Sequence, residues 1–334
     1  MEDNSSIFNF KKSNGLTDKI KNNIYVRVLV KLALLFGIVF VADFSIGHLL
    51  RYLYFSQQSG NLYRTTYSLE KTKSNLLIFG SSTANHEYSP RIFEDRLHIS
   101  SYNTGRDGTS IFYQYAILQG VLKRYSPKMI LLNFDLEEFK KTPGSYDRLS
   151  SLLPYYKAHP EIRSIINMKS PKERIKLCSA IYPFNSMLFT ILIGNTEFNK
   201  ERRKDFQGFV PLEKMLIKES DSGYYPEYEL DSNKIKTYRS FIHDCINAKV
   251  KLYIVCSPFY NKLEKFPNSI LLGQKIAHDN HISFFNFLND TSFINYPSYF
   301  ADVNHLNYQG ASVFSNKLID KMINEEDDQS ALAK

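Results

Sequence analysis

The hydrophobic pattern changes character twice along the chain. Residues 28–50 (VLVKLALLFGIVFVADFSIGHLL) are apolar almost throughout, and 32–42 are uninterrupted. Residues 51–73 become increasingly polar, show no period, and read as a linker. From residue 75 onward, short apolar runs alternate with segments of helical spacing. The runs at 75–79 (NLLIF), 100–102, 128–134 (KMILLNF), 251–256 (KLYIVC) and 282–287 predict strands. Several are continuously apolar, as strands covered on both faces are. Helices are predicted over 92–97, 111–124, 234–248, 269–278 and 310–323, with a polar tail over 324–334. This alternation predicts an α/β fold of three layers, α/β/α, around a central parallel sheet within residues 74–323. Regularity lapses over 138–230, where Pro143, Pro154, Pro160 and Pro171 punctuate short segments, so this stretch reads as an insertion forming an acceptor-binding or lid region. Sites in parallel sheets lie at the carboxyl ends of strands, so functional residues are expected directly after the apolar runs.

The 28–50 segment reaches the length of one transmembrane helix. Lys31 and Asp43 fall toward opposite ends, and Tyr52, Tyr54 and Phe55 follow as an interfacial aromatic group does. Lys11, Lys12, Lys19, Lys21, Arg27 and Lys31 outweigh Glu2, Asp3 and Asp18, making residues 1–27 a basic tail. That bias predicts a cytoplasmic N-terminus and a single-pass protein of the cell membrane, its domain extracytoplasmic. Two other readings compete with an uncleaved anchor: a signal peptide cut after Ser45-Ile46-Gly47, and a buried core helix.

Composition changes this picture little. The chain has 334 residues, of which 43% are hydrophobic and 23% charged, so a sizeable core is possible and wholesale disorder is excluded. The net charge of +8 is spread widely and accompanies no nucleic-acid-reading motif, so no nucleic-acid partner is expected. Cys178, Cys245 and Cys256 have no metal spacing; they read as free thiols, with a Cys245–Cys256 bridge the one alternative. The 23 Tyr and 25 Phe residues suit a core; in the insertion Tyr155, Tyr156, Tyr224, Tyr225 and Tyr228 are of a type that stacks on sugar rings, with core packing or loop anchoring the leading role for any single one.

Three features at predicted strand ends, and a fourth just before the final helix, carry chemistry. Gly80-Ser81-Ser82 follows the first strand, where a tight turn exposes a serine as nucleophile if a base is near. Taken alone, helix capping by Ser81, Ser82 or Thr83 explains it as well. Asp302-Val303-Asn304-His305 supplies the base, since one turn of chain brings the carboxylate onto the imidazole. Asn103-Thr104-Gly105-Arg106-Asp107-Gly108-Thr109-Ser110 offers backbone N–H groups to an oxyanion or, equally, a turn and helix start, and Asn133 or Asp135 ends the third strand.

In this order, the stretches FGSSTANHEYSP, YNTGRDGTS and DVNHLNYQGA resemble the SGNH (GDSL-like) hydrolase superfamily. The narrower likeness is to membrane-anchored bacterial members acting on extracytoplasmic acyl groups. The resemblance covers about residues 75–323. It implies Ser82 as nucleophile, Asp302 and His305 as its acid and base, and Gly108 as an oxyanion donor, with Asn133 or Asp135 in the third-block position. Ser81 stands where the name-giving motif has aspartate, and no clear GxND follows the third strand. The implied activity is that of an O-acetyltransferase or O-acetylesterase on cell-envelope or secreted glycan, using an acyl-serine and neither metal nor nucleotide cofactor. Its implied partners are the glycan or another acyl ester, the membrane, and a membrane-bound O-acyltransferase. The α/β-hydrolase elbow fits less well, because serine here follows the first soluble strand and the acid lies three residues before histidine. A different class stays open, a non-catalytic accessory or scaffold protein of a polysaccharide-modifying machine.

Overall fold

The computed structural model describes residues 23–196, 205–216 and 226–332. Five parallel strands form its sheet: β1 (Leu76–Phe79), β2 (Ser101–Asn103), β3 (Met129–Asn133), β4 (Lys251–Cys256) and β5 (Ser283–Asn286). Their spatial order is β2-β1-β3-β4-β5. Leu77 pairs with Tyr102 on one side and Ile130 on the other, Leu131 pairs with Tyr253, and Ile254 with Phe284. The order reverses between β1 and β3, which opens a crevice at their carboxyl ends. All of β1 and most of β3 and β4 are buried, which is why their sequences are runs of Leu, Ile, Phe and Val rather than alternations.

Helices cover both faces. The main ones are α1 (Ile24–Phe55), α2 (Gly60–Thr66), α3 (Ser82–Glu87), α4 (Pro90–Leu97), α5 (Ile111–Arg124), α6 (Leu188–Asn195), α7 (Ser232–Asn247), α8 (Asn268–Asp279) and α9 (Tyr308–Leu332). Leu77, Phe79, Ile130 and Leu132 face a core shared with Phe112 and Ile117 of α5, Phe241 of α7 and Ile276 of α8. Leu76, Ile78, Leu131 and Val255 face the other core, with Phe93 of α4 and Phe314 and Leu318 of α9. This is the three-layer α/β/α arrangement expected, and helix α9 runs on through the stretch read as a polar tail.

Helix α1 is long and apolar enough to cross a membrane, with a mean hydropathy of 2.4 over its best window and none of that window buried. Its C-terminal turns belong to the domain instead: Leu50 and Tyr54 are core residues, so Tyr54 is not part of an interfacial belt. The linker expected over 51–73 is also corrected. Residues 60–71 are helical, ending in a single wide turn at Tyr67–Lys71, and Leu62, Thr65, Thr66, Ser68 and Leu69 are buried. Their polarity misleads because the hydroxyls bond inward, as Thr66 Oγ does to Leu62 O at 3.1 Å.

The insertion is a set of short helical turns packed under the main core through Leu149, Leu152, Leu153, Ile162, Ile166 and Phe184. Tyr155 takes the core role, fully buried with its hydroxyl among those of Tyr54 and Thr66. Tyr228 is half-buried and donates to Leu136 O, and Tyr156 packs against the core. Tyr224, Tyr225 and the basic tail through Lys21 lie outside the described residues. All three cysteines are free, Cys245 and Cys256 buried and Cys178 exposed, so the alternative bridge does not form.

Candidate active site

Gly80 makes the turn after β1 sharp. Its φ is 149°, and a Cβ there would meet Ala84 Cβ at 2.7 Å and Asn133 Cβ at 2.9 Å, so a side chain would clash with both the helix and β3. The chain then enters α3 with Ser82 at its first position and Ser81 just before it. Ser81 does not cap the helix; its hydroxyl donates to Asp135 Oδ2. Ser82 stands over the carboxyl rim, partly exposed, with its N–H in the unbonded first turn.

His305 reaches Ser82 from the opposite end of the chain. Asp302 Oδ1 accepts the backbone N–H groups of Asn304 at 2.8 Å and His305 at 3.0 Å, which winds the loop into a tight turn. The same carboxylate accepts His305 Nδ1–H, at 2.9 Å to Oδ1 and 3.0 Å to Oδ2. A carboxylate only accepts, so the proton resides on Nδ1 and Nε2 is left basic. Nε2 lies 2.9 Å from Ser82 Oγ, which donates to it. Glu87 holds this loop from below, accepting Leu306 N–H at 3.0 Å. Burial, the dominant cause, pushes the Glu87 carboxyl well above its usual range.

The third strand brings Asn133 to the same rim. Its Oδ1 accepts Tyr88 O–H at 2.7 Å and Ser257 O–H at 2.7 Å, and its Nδ2 donates to Asp135 Oδ1 at 2.7 Å. Both oxygen and nitrogen are thereby oriented, and the second amide N–H is left for the cavity. Asp135 accepts on both oxygens and offers no donor while ionised. Burial raises its pKa, against the hydrogen bonds of Ser81, Thr83 and Asn133 and the charge of His305. Gly108 is exposed, with φ 67° and the Arg148 guanidinium packed against it; Thr109 and Ser110 line the cavity in its place.

The cavity beside Ser82 measures about 320 Å³ and is walled mainly by polar groups, among them Thr109, Ser145, Glu138, Lys140, Lys234 and His305. Among the described residues, no group of three His, Cys, Asp or Glu side chains is disposed to hold a metal ion. Of the residues read from the sequence, the fold brings Ser82, Asp302, His305, Asn133 and Asp135 together and leaves Gly108 outside the cavity lining. Sequence reasoning misses Glu87, Tyr88, Ser257, Glu138 and Lys234. Burial pushes Glu138 up to about 7, helped by Asp135 and opposed by Lys234. It misses His86 also, whose ring meets that of His305 edge-on at 5.6 Å and whose Nε2 lies 3.3 Å from Asp107. Burial opposes ionisation of Asp107, but His86 and Asn85 outweigh it and hold that carboxyl down at about 2. The run NHE at 85–87 has no period or spacing to mark these residues. No protein-family model and no curated protein matches this chain.

Proposed function

We propose that this chain is an SGNH-type serine acyl-ester enzyme, an O-acetyltransferase or O-acetylesterase acting on envelope or secreted glycan outside the cell membrane. One observation carries the reading: His305 bridges Ser82 and Asp302 at 2.9 Å on either side, at the mouth of a polar cavity. In this mechanism Ser82 Oγ attacks the ester carbonyl while His305 Nε2 takes its proton. Asp302 steadies the imidazolium. The tetrahedral oxyanion is received by Ser82 N–H and the remaining N–H of Asn133. His305 returns the proton to the departing alkoxide, leaving acetyl-Ser82. A sugar hydroxyl or water, deprotonated by His305, then releases the acetyl group and frees Ser82.

The contacts between α1 and the domain favour an uncleaved anchor, because Asp43 and Gly47 both pack on the insertion. The likeness to anchored relatives adds outward topology and a membrane-bound O-acyltransferase as acyl supplier. Labelling of the full-length protein by a fluorophosphonate, abolished in Ser82→Ala, tests the nucleophile. Acetyl loaded onto Ser82 from a chromogenic ester should pass to a glycan on addition; release of acetate alone, whatever the glycan, makes the protein an esterase.

One feature favours the accessory-protein reading: Asn133 commits one of its amide N–H groups to Asp135 rather than to the cavity. Absence of fluorophosphonate labelling in folded protein would select it.

A further inference from the structure

We infer that residues 173–192 form a second membrane contact, a collar on the base of α1 that dips its apolar side chains into the outer face of the bilayer. The inference rests on α1 being a membrane anchor. Helix α6 (LFTILIGN) is apolar nearly all round, yet only Ile191 is buried. Leu188, Phe189 and Leu192 are 41%, 76% and 57% exposed and share one side of the helix. On the same segment Ile175 is 73% exposed. An apolar surface that faces outward beside a membrane helix is stabilised by lipid rather than water.

Contacts with α1 set the depth. Asp43 sits within the apolar stretch, and its carboxylate accepts Ser179 O–H at 2.5 Å, Ala180 N–H at 2.6 Å and Ile181 N–H at 3.3 Å. An unpaired carboxylate in hydrocarbon is strongly unfavourable, so the segment that supplies these donors must reach the level of Asp43. Gly47 permits the approach, since a Cβ there would lie 2.5 Å from Ala180 C. Higher up, Asn195 Nδ2 donates to Leu53 O at 2.7 Å. Counting from Val28, a hydrocarbon core of about 30 Å at a rise of about 1.5 Å per residue ends near Gly47. The collar therefore grips α1 at the bilayer boundary. Lys172, Arg174 and Lys176 flank Ile175, where anionic headgroups would meet them.

The test uses full-length protein in phosphatidylcholine–phosphatidylglycerol vesicles. In a Cys178→Ser background, Phe189→Cys and Leu192→Cys carry an environment-sensitive fluorophore. Phe36→Cys on the anchor and Asn324→Cys on α9 serve as references. Lipids bearing a nitroxide near the glycerol end should quench positions 189 and 192 strongly, those with a nitroxide near the chain terminus should quench 36, and neither should quench 324. Quenching at 36 without quenching at 189 and 192 overturns the collar and leaves that face to a protein partner or a second copy. Absence of quenching at 36 as well overturns the anchor itself.

Discussion

The carboxyl rim of the sheet and the collar around the base of α1 use the same kinds of polar side chain in opposite ways. At the rim, Ser81 and Asn133 both donate to Asp135 while Ser82 stays turned toward His305 and an open cavity. Beneath the collar, Tyr54 O–H donates to Tyr155 at 3.1 Å, Tyr155 meets Thr66 at 2.6 Å, and Thr66 donates to Leu62 O, so every hydroxyl is consumed inside the core. A hydroxyl is thus reactive or structural according to whether a base and an open space meet it. Arg106 joins the two regions, leaving the turn beside the cavity to donate to Thr65.

The comparison is broken most sharply at Ser82 and His305. Ser82→Ala and His305→Ala should each lower turnover of a chromogenic acetyl ester by about 10⁴–10⁶-fold, with the double variant little worse, because such residues act as a unit. Retained activity in Ser82→Ala together with loss in Ser81→Ala would move the nucleophile by one residue. Asn133→Ala comes next, lowering kcat by about 10²–10³-fold with KM little changed, as removal of an oxyanion donor does. Asp135→Asn should cost less than Asn133→Ala. A larger cost would show that the Asp135 charge on His305, rather than an amide donor, is what the third strand supplies.

The same contrast separates what the sequence discloses from what it hides. Strand ends are marked by abrupt changes from apolar to polar, so Ser82, Asn133 and the Asp302–His305 spacing are legible over a few residues. Helix α5 has the bounds its apolar spacing predicts, although Ser110 does not cap it and its first N–H, that of Ile111, goes to Glu138. The hydroxyl-bonded core beneath the collar has no such local signal. Residues 60–71 read as a linker because Arg64, Thr65 and Thr66 look solvated, whereas their partners Asn85, Tyr113 and Tyr155 lie 21, 48 and 89 residues away. Glu87 is invisible as a support of the His305 loop because the two are joined only through the fold.

Tyr155→Phe sharpens the structural side. It removes the middle of the hydroxyl chain and leaves the Tyr54 hydroxyl buried without its acceptor, so unfolding free energy should fall by about 1–3 kcal/mol. Fluorophosphonate labelling of Ser82 at low temperature should keep its rate. A large loss of labelling without loss of stability would mean that the hydroxyl-bonded core and the rim communicate through Arg106.

Glu138 gives stability a tilt with pH. Glu138 lines the cavity, accepts Ile111 N–H at 2.7 Å, and has its pKa raised from 4.5 to about 7, chiefly by burial. In the unfolded chain it loses its proton near 4.5, and in the folded chain near 7. Between those values the folded state holds more protons, so this residue makes stability fall as pH rises across the window, and the penalty is complete above about 7. Glu138→Gln keeps an acceptor for Ile111 N–H and removes the titration. The midpoint temperature of the parent minus that of the variant should therefore decrease as pH goes from about 4.5 to about 7 and then level off. Two neighbours modulate this difference. Lys234, also buried, loses a compensating charge in the variant, and Asp135 loses a repulsive one. A constant difference across that range would mean that Glu138 stays ionised beside Lys234, so the rim would hold a permanent ion pair instead of a carboxyl that titrates near neutrality.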